Sequence, residues 1–257
     1  MRHWLAGCLL LVSAEVAKAD NAGNPMTFQL YRYDSFPSGQ HLEIDADGVI
    51  LAATPDQFAA FLAGKAIPPG SDVYLTSEGG NLMAGLQLGR MIRQHGFNTI
   101  VAAHRRISDA TVNGLQRLNI LFTVGVVHTP VAPTEISNPL EQLRWASYCI
   151  SSCTFALLGG VKRYAPLLSS YAVHKFHNKC DDPEINKQAA CHDPSAALSG
   201  AQELSAELAM YLEQMGVSQN FLHDMIRAEP DKLNVLSPDD LKRYQICTDI
   251  FGGCFLR

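Results

Sequence analysis

The run from Val73 to Val101 does most to limit the folds open to this chain. Val73-Tyr74-Leu75 is a short apolar stretch fit for a buried strand, and it leads directly into Ser77-Glu78-Gly79-Gly80. From Asn81 to Gln94, residues Leu82, Gly85, Leu86, Gly89 and Ile92 recur at helical spacing, and Thr99-Ile100-Val101 opens another strand. A strand, a glycine turn, a helix and a second strand within about 30 residues make a βαβ unit, so a parallel sheet and an α/β fold are expected. Part of the helical stripe is glycine. Each such residue costs roughly 1 kcal/mol relative to alanine in a helix, but it lets a neighbouring backbone come close.

The flanking segments extend the pattern. Residues 26–33 alternate as a strand, and His41 to Leu51 read as a strand pair turning at Asp47-Gly48. Thr54-Pro55-Asp56 opens a helix with Phe58, Phe61 and Leu62 on one face, ending by Gly64 and Pro68-Pro69-Gly70. Between Ala103 and Ser147 the periodicity fades, and this stretch is expected to be an insertion within a single domain covering residues 20–257. Order returns with Tyr148, Thr154 to Leu158, the Gly159-Gly160 break, and a strand from Ser170 to Val173 that ends at His174. A C-terminal helical segment follows. Ser199-Gly200-Ala201-Gln202 reads as the opening of a helix burying Leu204, Leu208, Tyr211, Leu212 and Met215, and Ser218 and Ser237-Pro238 read as caps of two more.

Composition narrows the class of partner. The 257 residues are 47% hydrophobic and 18% charged, with 20 basic against 25 acidic side chains and a net charge of -5. With no basic run, nucleic acid is not an expected partner. Residues 1–19 have the layout of a cleaved signal peptide: Arg2 and His3, then an apolar stretch from Trp4, then Ala17-Lys18-Ala19. The apolar run is shorter than the roughly 20 residues of a membrane span, so a periplasmic or secreted protein is expected. Leu5-Ala6-Gly7-Cys8 has the form of a lipoprotein box, but most of the apolar core follows Cys8 instead of preceding it.

Export makes disulfides the expected state of Cys149, Cys153, Cys180, Cys191, Cys247 and Cys254. Their pairing is open. Cys180–Cys191 would close a polar segment, Cys149 and Cys153 flank Ser151 closely enough to stiffen the serine turn, and a zinc site is the rival reading.

Three elements could carry chemistry together. Gly79-Gly80 at a strand-to-helix turn can expose backbone N–H groups to an anion, although an unliganded tight turn is the simpler reading. Ser151 lies between a strand end and a short helix, where a plain N-cap serine is the simpler reading. His174 closes a later strand that could return beside Ser151 as a general base. Leu75-Thr76-Ser77-Glu78-Gly79-Gly80, the helix Gly85 to Arg93 behind it, Cys149-Ile150-Ser151-Ser152-Cys153, the double glycine with Lys162-Arg163, and Ala172-Val173-His174 occur in a fixed order. In that order they resemble the Clp-protease-like branch of the ClpP/crotonase superfamily, in a secreted bacterial form.

The resemblance implies a spiral of ββα units and serine hydrolase chemistry. It makes Ser151 the nucleophile, His174 the general base, and the N–H groups of Gly80 and Ser152 the oxyanion hole. The third member would be Asp231, with Asn234 as the neighbouring candidate. A Ser-Lys dyad would instead use Lys162 or Lys175. No cofactor or metal is expected. Clp enzymes work with an unfolding ATPase, which export removes, so the expectation is an ATP-independent hydrolase, a peptidase acting on peptides or unfolded segments, able to assemble as a homo-oligomer. Glu78 stands where the family has proline, a carboxylate beside the expected oxyanion hole. It motivates the alternative of a catalytically inactive binding or assembly module. Acyl-CoA chemistry shares the oxyanion logic but conflicts with export.

Overall fold

The computed structural model describes residues 23–35, 39–101, 147–166, 169–176, 193–228 and 232–248. The expected insertion at 103–147 lies almost wholly outside these residues, as do the signal segment, Asp231, Cys180, Cys191 and Cys254. The described chain is a mixed α/β structure.

Strands β1 (Thr27–Ser35) and β2 (Gly39–Asp47) form an antiparallel pair in which Thr27 faces Asp47. Helix α1 (Thr54–Leu62) follows, then β3 (Asp72–Thr76), α2 (Leu82–Gln94) and β4 (Asn98–Val101). β2, β3 and β4 are mutually parallel neighbours, so β3-α2-β4 is the expected βαβ unit. The chain resumes with β5 (Tyr148–Ile150), α3 (Ser152–Leu158), β6 (Arg163–Tyr164) and β7 (Ser170–Val173). The C-terminal part holds α4 (Pro194–Met215), α5 (Phe221–Arg227), β8 (Asn234–Val235) and α6 (Pro238–Arg243). The strands form two sheets, β1-β2-β3-β4-β6 and β5-β7-β8. They meet where Ser77, just past β3, bridges Cys149 of β5.

The glycine stripe of α2 does what its sequence suggested. A Cβ on Gly85 would lie 2.5 Å from the Ser152 carbonyl oxygen, and one on Gly89 would lie 2.8 Å from that of Phe155 and collide with the Tyr211 hydroxyl. α3 therefore packs backbone-close against α2, and all of its residues from Ser152 to Leu158 are buried. Ile44, Leu75, Leu86, Ile92, Phe155 and Tyr211 belong to one continuous core.

Three local expectations are corrected. Asp47-Gly48 is not a hairpin turn: β2 ends there, and the chain continues into a parallel bridge between Val49 and Pro25, the antiparallel partner of β2 being the preceding strand β1. Gly48 is needed because a Cβ there would meet the Asn24 and Pro25 carbonyl oxygens at 2.7 Å. Ser199 does not open a helix. α4 begins at Pro194, and the Ser199 hydroxyl bonds Glu203 one turn on. Ser218 precedes α5 without being its N-cap, which is Asn220, whereas Ser237 caps α6 in a full capping box with Asp240. Among the described residues no helix is long and apolar enough to cross a membrane.

Candidate active site

Ser151 occupies the one-residue joint between β5 and α3, with φ 57° and ψ -123°. Only one other described non-glycine residue, Gln245, has positive φ. This conformation lies outside the ordinary left-handed well, where ψ is near +47°, and it carries a strain on the order of 1–3 kcal/mol. The result is a sharp strand-to-helix elbow with a serine at its bend.

The main chain of Ser151 is tied on both sides. Its N–H donates to the Ala172 carbonyl at 3.0 Å, and its carbonyl accepts from the Thr154 N–H at 3.0 Å and the Thr154 hydroxyl at 2.5 Å. Its side chain makes no capping hydrogen bond. The plain N-cap reading therefore does not describe this serine.

A disulfide joins Cys149 and Cys153 across Ser151, with the Cα atoms 5.2 Å apart. Both residues are fully buried. For so short a loop the chain-entropy relation gives a stabilisation of about 2 kcal/mol, the same size as the strain of the turn it spans. Cys247 is also disulfide-bonded. The zinc reading is thus displaced for the cysteines that flank the serine.

The glycine turn is held from two sides. Ser77 donates its N–H to Tyr148 O at 3.0 Å and accepts from Ile150 N–H at 2.9 Å, fixing the turn to β5. Its buried hydroxyl accepts the Gly79 N–H at 3.0 Å. On the far side, Ile50 donates to Gly79 O at 2.8 Å and accepts from Asn81 N–H at 2.7 Å. A trans peptide sets its C=O and N–H in opposite directions. Because Gly79 O points to Ile50, the Gly80 N–H points away from Ile50.

Both glycines have positive φ, 101° and 129°. A Cβ on Gly79 would lie 2.6 Å from Ser151 Cβ and 3.0 Å from Ser152 N, so only glycine permits this approach to the elbow. Gly80 is exposed. Among the described residues neither its N–H nor that of Ser152, the first residue of α3, has a hydrogen-bond partner. The Ser152 hydroxyl is buried without a partner there as well.

His174 follows β7, which runs parallel to β5 with Ile150 opposite Ala172. It comes two residues after the carbonyl that holds Ser151, so this pairing brings the strand ends carrying the two residues side by side. Its Nδ1 lies 2.7 Å from Lys175 O. A carbonyl can only accept, so Nδ1 is the donor in this contact.

The other candidates separate. The Asn234 side chain donates to Asp224 O at 3.2 Å. Lys162 lies beyond the C-terminal end of α3, a helix about 10 Å long, while Ser151 precedes its start. Lys175 is exposed, and its carbonyl holds His174. Glu78 directs its carboxylate against Gly23, where any side chain would collide with it. The features that sequence reasoning missed are the Ser77 hydroxyl and the Lys175 carbonyl. The serine before Glu78-Gly79-Gly80 was a visible signal for the first; a main-chain acceptor leaves none.

No protein-family model matches the chain, and no curated protein matches it. Among solved structures the chain is similar to a ClpP1 mutant from Listeria monocytogenes, at 13% identity, covering 77% of this chain and 84% of that one with a TM-score of 0.39.

Proposed function

We propose that this chain is a serine hydrolase with a ClpP-like spiral of ββα units, a peptidase that works outside the cytoplasm without ATP on short peptides or unfolded segments. The observation that carries this reading is Ser151 itself: a serine at a positive φ, at the start of a buried helix, with its hydroxyl unused for capping and its N–H bonded to the strand that leads to His174.

In the proposed mechanism His174 Nε2 takes the Ser151 proton as the oxygen attacks an acyl carbonyl carbon. The Nδ1–H bond to Lys175 O holds the required tautomer. Negative charge develops on the carbonyl oxygen and is met by the N–H groups of Gly80 and Ser152. Each such donor is worth about 10²–10³ in rate. The tetrahedral intermediate collapses as His174 returns the proton to the leaving group, and water then hydrolyses the acyl-serine by the same route. Asp231 is proposed as the acceptor that takes over the Nδ1–H from Lys175 O when the imidazole becomes charged.

A fluorophosphonate probe tests the assignment. Ser151 of the folded protein is expected to be labelled stoichiometrically, with no labelling of Ser151→Ala and at least 100-fold less of His174→Ala. A folded wild type that does not label, yet binds peptides as well as Ser151→Ala does, would instead be a binding module.

A further inference from the structure

We propose that the Cys149–Cys153 disulfide is the positioning group for Ser151: it holds the strand-to-helix joint in its strained conformation, and the reactivity of the hydroxyl depends on this crosslink. The inference rests on Ser151 being the nucleophile and adds the device that keeps it poised.

A helix start is ordinarily secured by its N-cap side chain, which accepts a hydrogen bond from the first turn. Ser151 makes no such bond. A hydroxyl committed to capping would have its lone pair turned into the helix, away from an incoming acyl group. The crosslink frees it from that task. Cys149 lies in the middle of β5, and Cys153 is the second residue of α3. The covalent link thus fixes strand end to helix start directly and leaves the residue between them only its side chain to contribute. Both cysteines are fully enclosed in the core, so the link is anchored in the same packing that holds α3.

Cleaving the crosslink would take two electrons and two protons from a dithiol reductant, which is oxidised to its own disulfide as Cys149 and Cys153 become thiols. Only the main-chain bonds to Ala172 and Thr154 would be left to hold the joint, and a change of φ at Ser151 breaks one of them. The joint would then be free to relax toward a negative φ at Ser151, carrying the hydroxyl away from the end of β7 and from the glycine turn. The proposal thereby ties activity to an oxidising surrounding through the geometry of one residue.

The test compares wild type with Cys149→Ala/Cys153→Ala, following the second-order rate of fluorophosphonate labelling at Ser151 per folded molecule, and kcat and KM once a peptide substrate is in hand. The variant is expected to label at least 10-fold more slowly and to lose kcat with KM little changed. A merely structural crosslink would lower the melting temperature but leave labelling per folded molecule at the wild-type rate, and that result overturns the proposal. If the double alanine variant does not fold, Cys149→Val/Cys153→Ala, which refills the core, is used for the same comparison. Wild type protein reduced with dithiothreitol, confirmed by a mass gain at this cysteine pair, serves as a third case. Absence of labelling in oxidised wild type would instead refute the nucleophile assignment, so the two failures are distinguishable.

Discussion

Ser151 carries an unfavourable backbone geometry that nothing in its own side chain relieves. Glycine at this position would accept φ 57° without strain, whereas alanine would inherit it. Comparing Ser151→Gly with Ser151→Ala isolates the backbone contribution, since both lose the hydroxyl. The glycine variant is expected to be the more stable by about 1 kcal/mol in chemical denaturation, with neither variant labelled. Equal stability would mean that the turn stores no strain. The sequence placed Ser151 at the joint but, taken alone, favoured an ordinary N-cap. A positive φ at a serine runs against local preference, and the partners found around it here, the β7 contact and the disulfide, are distant or covalent.

α3 is only seven residues long, so its last carbonyls have no helical partner. Side chains from four other elements complete it. The Tyr171 hydroxyl reaches Thr154 O at 3.1 Å, Tyr211 reaches Phe155 O at 2.5 Å, Thr99 reaches Leu157 O at 2.6 Å, and Arg93 reaches Leu158 O at 3.1 Å. The carbonyl end of the helix that follows the proposed nucleophile is thus completed from within the core, while Ser152 at its start keeps an N–H and a hydroxyl without a partner among the described residues. α2 must press against α3 for this to work. Gly89→Ala, which at an exposed helical site would gain roughly 1 kcal/mol, is expected here to lose about 1–3 kcal/mol, because the methyl group meets the Phe155 carbonyl and the Tyr211 hydroxyl. Thermal denaturation reads the sign. This stripe was legible in the sequence because its period is local. The pairing at Asp47-Gly48 was not, since an Asp-Gly dipeptide serves a hairpin and a close crossing alike, and only the bridge from Val49 to Pro25 decides between them. The two-residue strand β6 left no periodic signal at all; its partner β4 defines it.

At the scale of the whole molecule, Arg163 ties distant parts together. Its buried guanidinium donates to Ile246 O at 2.7 Å, Gln245 O at 2.8 Å, Met215 O at 3.1 Å and Gly160 O at 3.2 Å, gathering the ends of α3 and α4 and the segment after α6. Burial, with some repulsion from Arg93, lowers its pKa to about 10 from 12.5. Burial pushes the Tyr171 and Tyr211 hydroxyls upward. For the tyrosines the folded state holds its protons more tightly, so their contribution is complete below the unfolded value of about 10 and is lost as the pH rises beyond it. Arg163 works in the opposite sense between about 10 and 12.5, since there the unfolded chain binds the extra proton. Two tyrosines oppose one arginine, and stability is expected to fall above pH 10. Absorbance near 295 nm should show both phenols ionising only together with unfolding; their titration in the folded protein would contradict the burial argument.

β4 ends at Val101 and β5 begins at Tyr148, and β3 stands beside both, paired to the first along its length and linked to the second through Ser77. Both strand ends are therefore moored independently of whatever chain runs between them. Lengthening a connection raises its closure cost only logarithmically, about 0.6 kcal/mol for each doubling. Descendants of this chain can consequently lengthen, shorten or exchange that excursion while the elbow and the glycine turn stay where they are, making it the place where lineages are free to diverge.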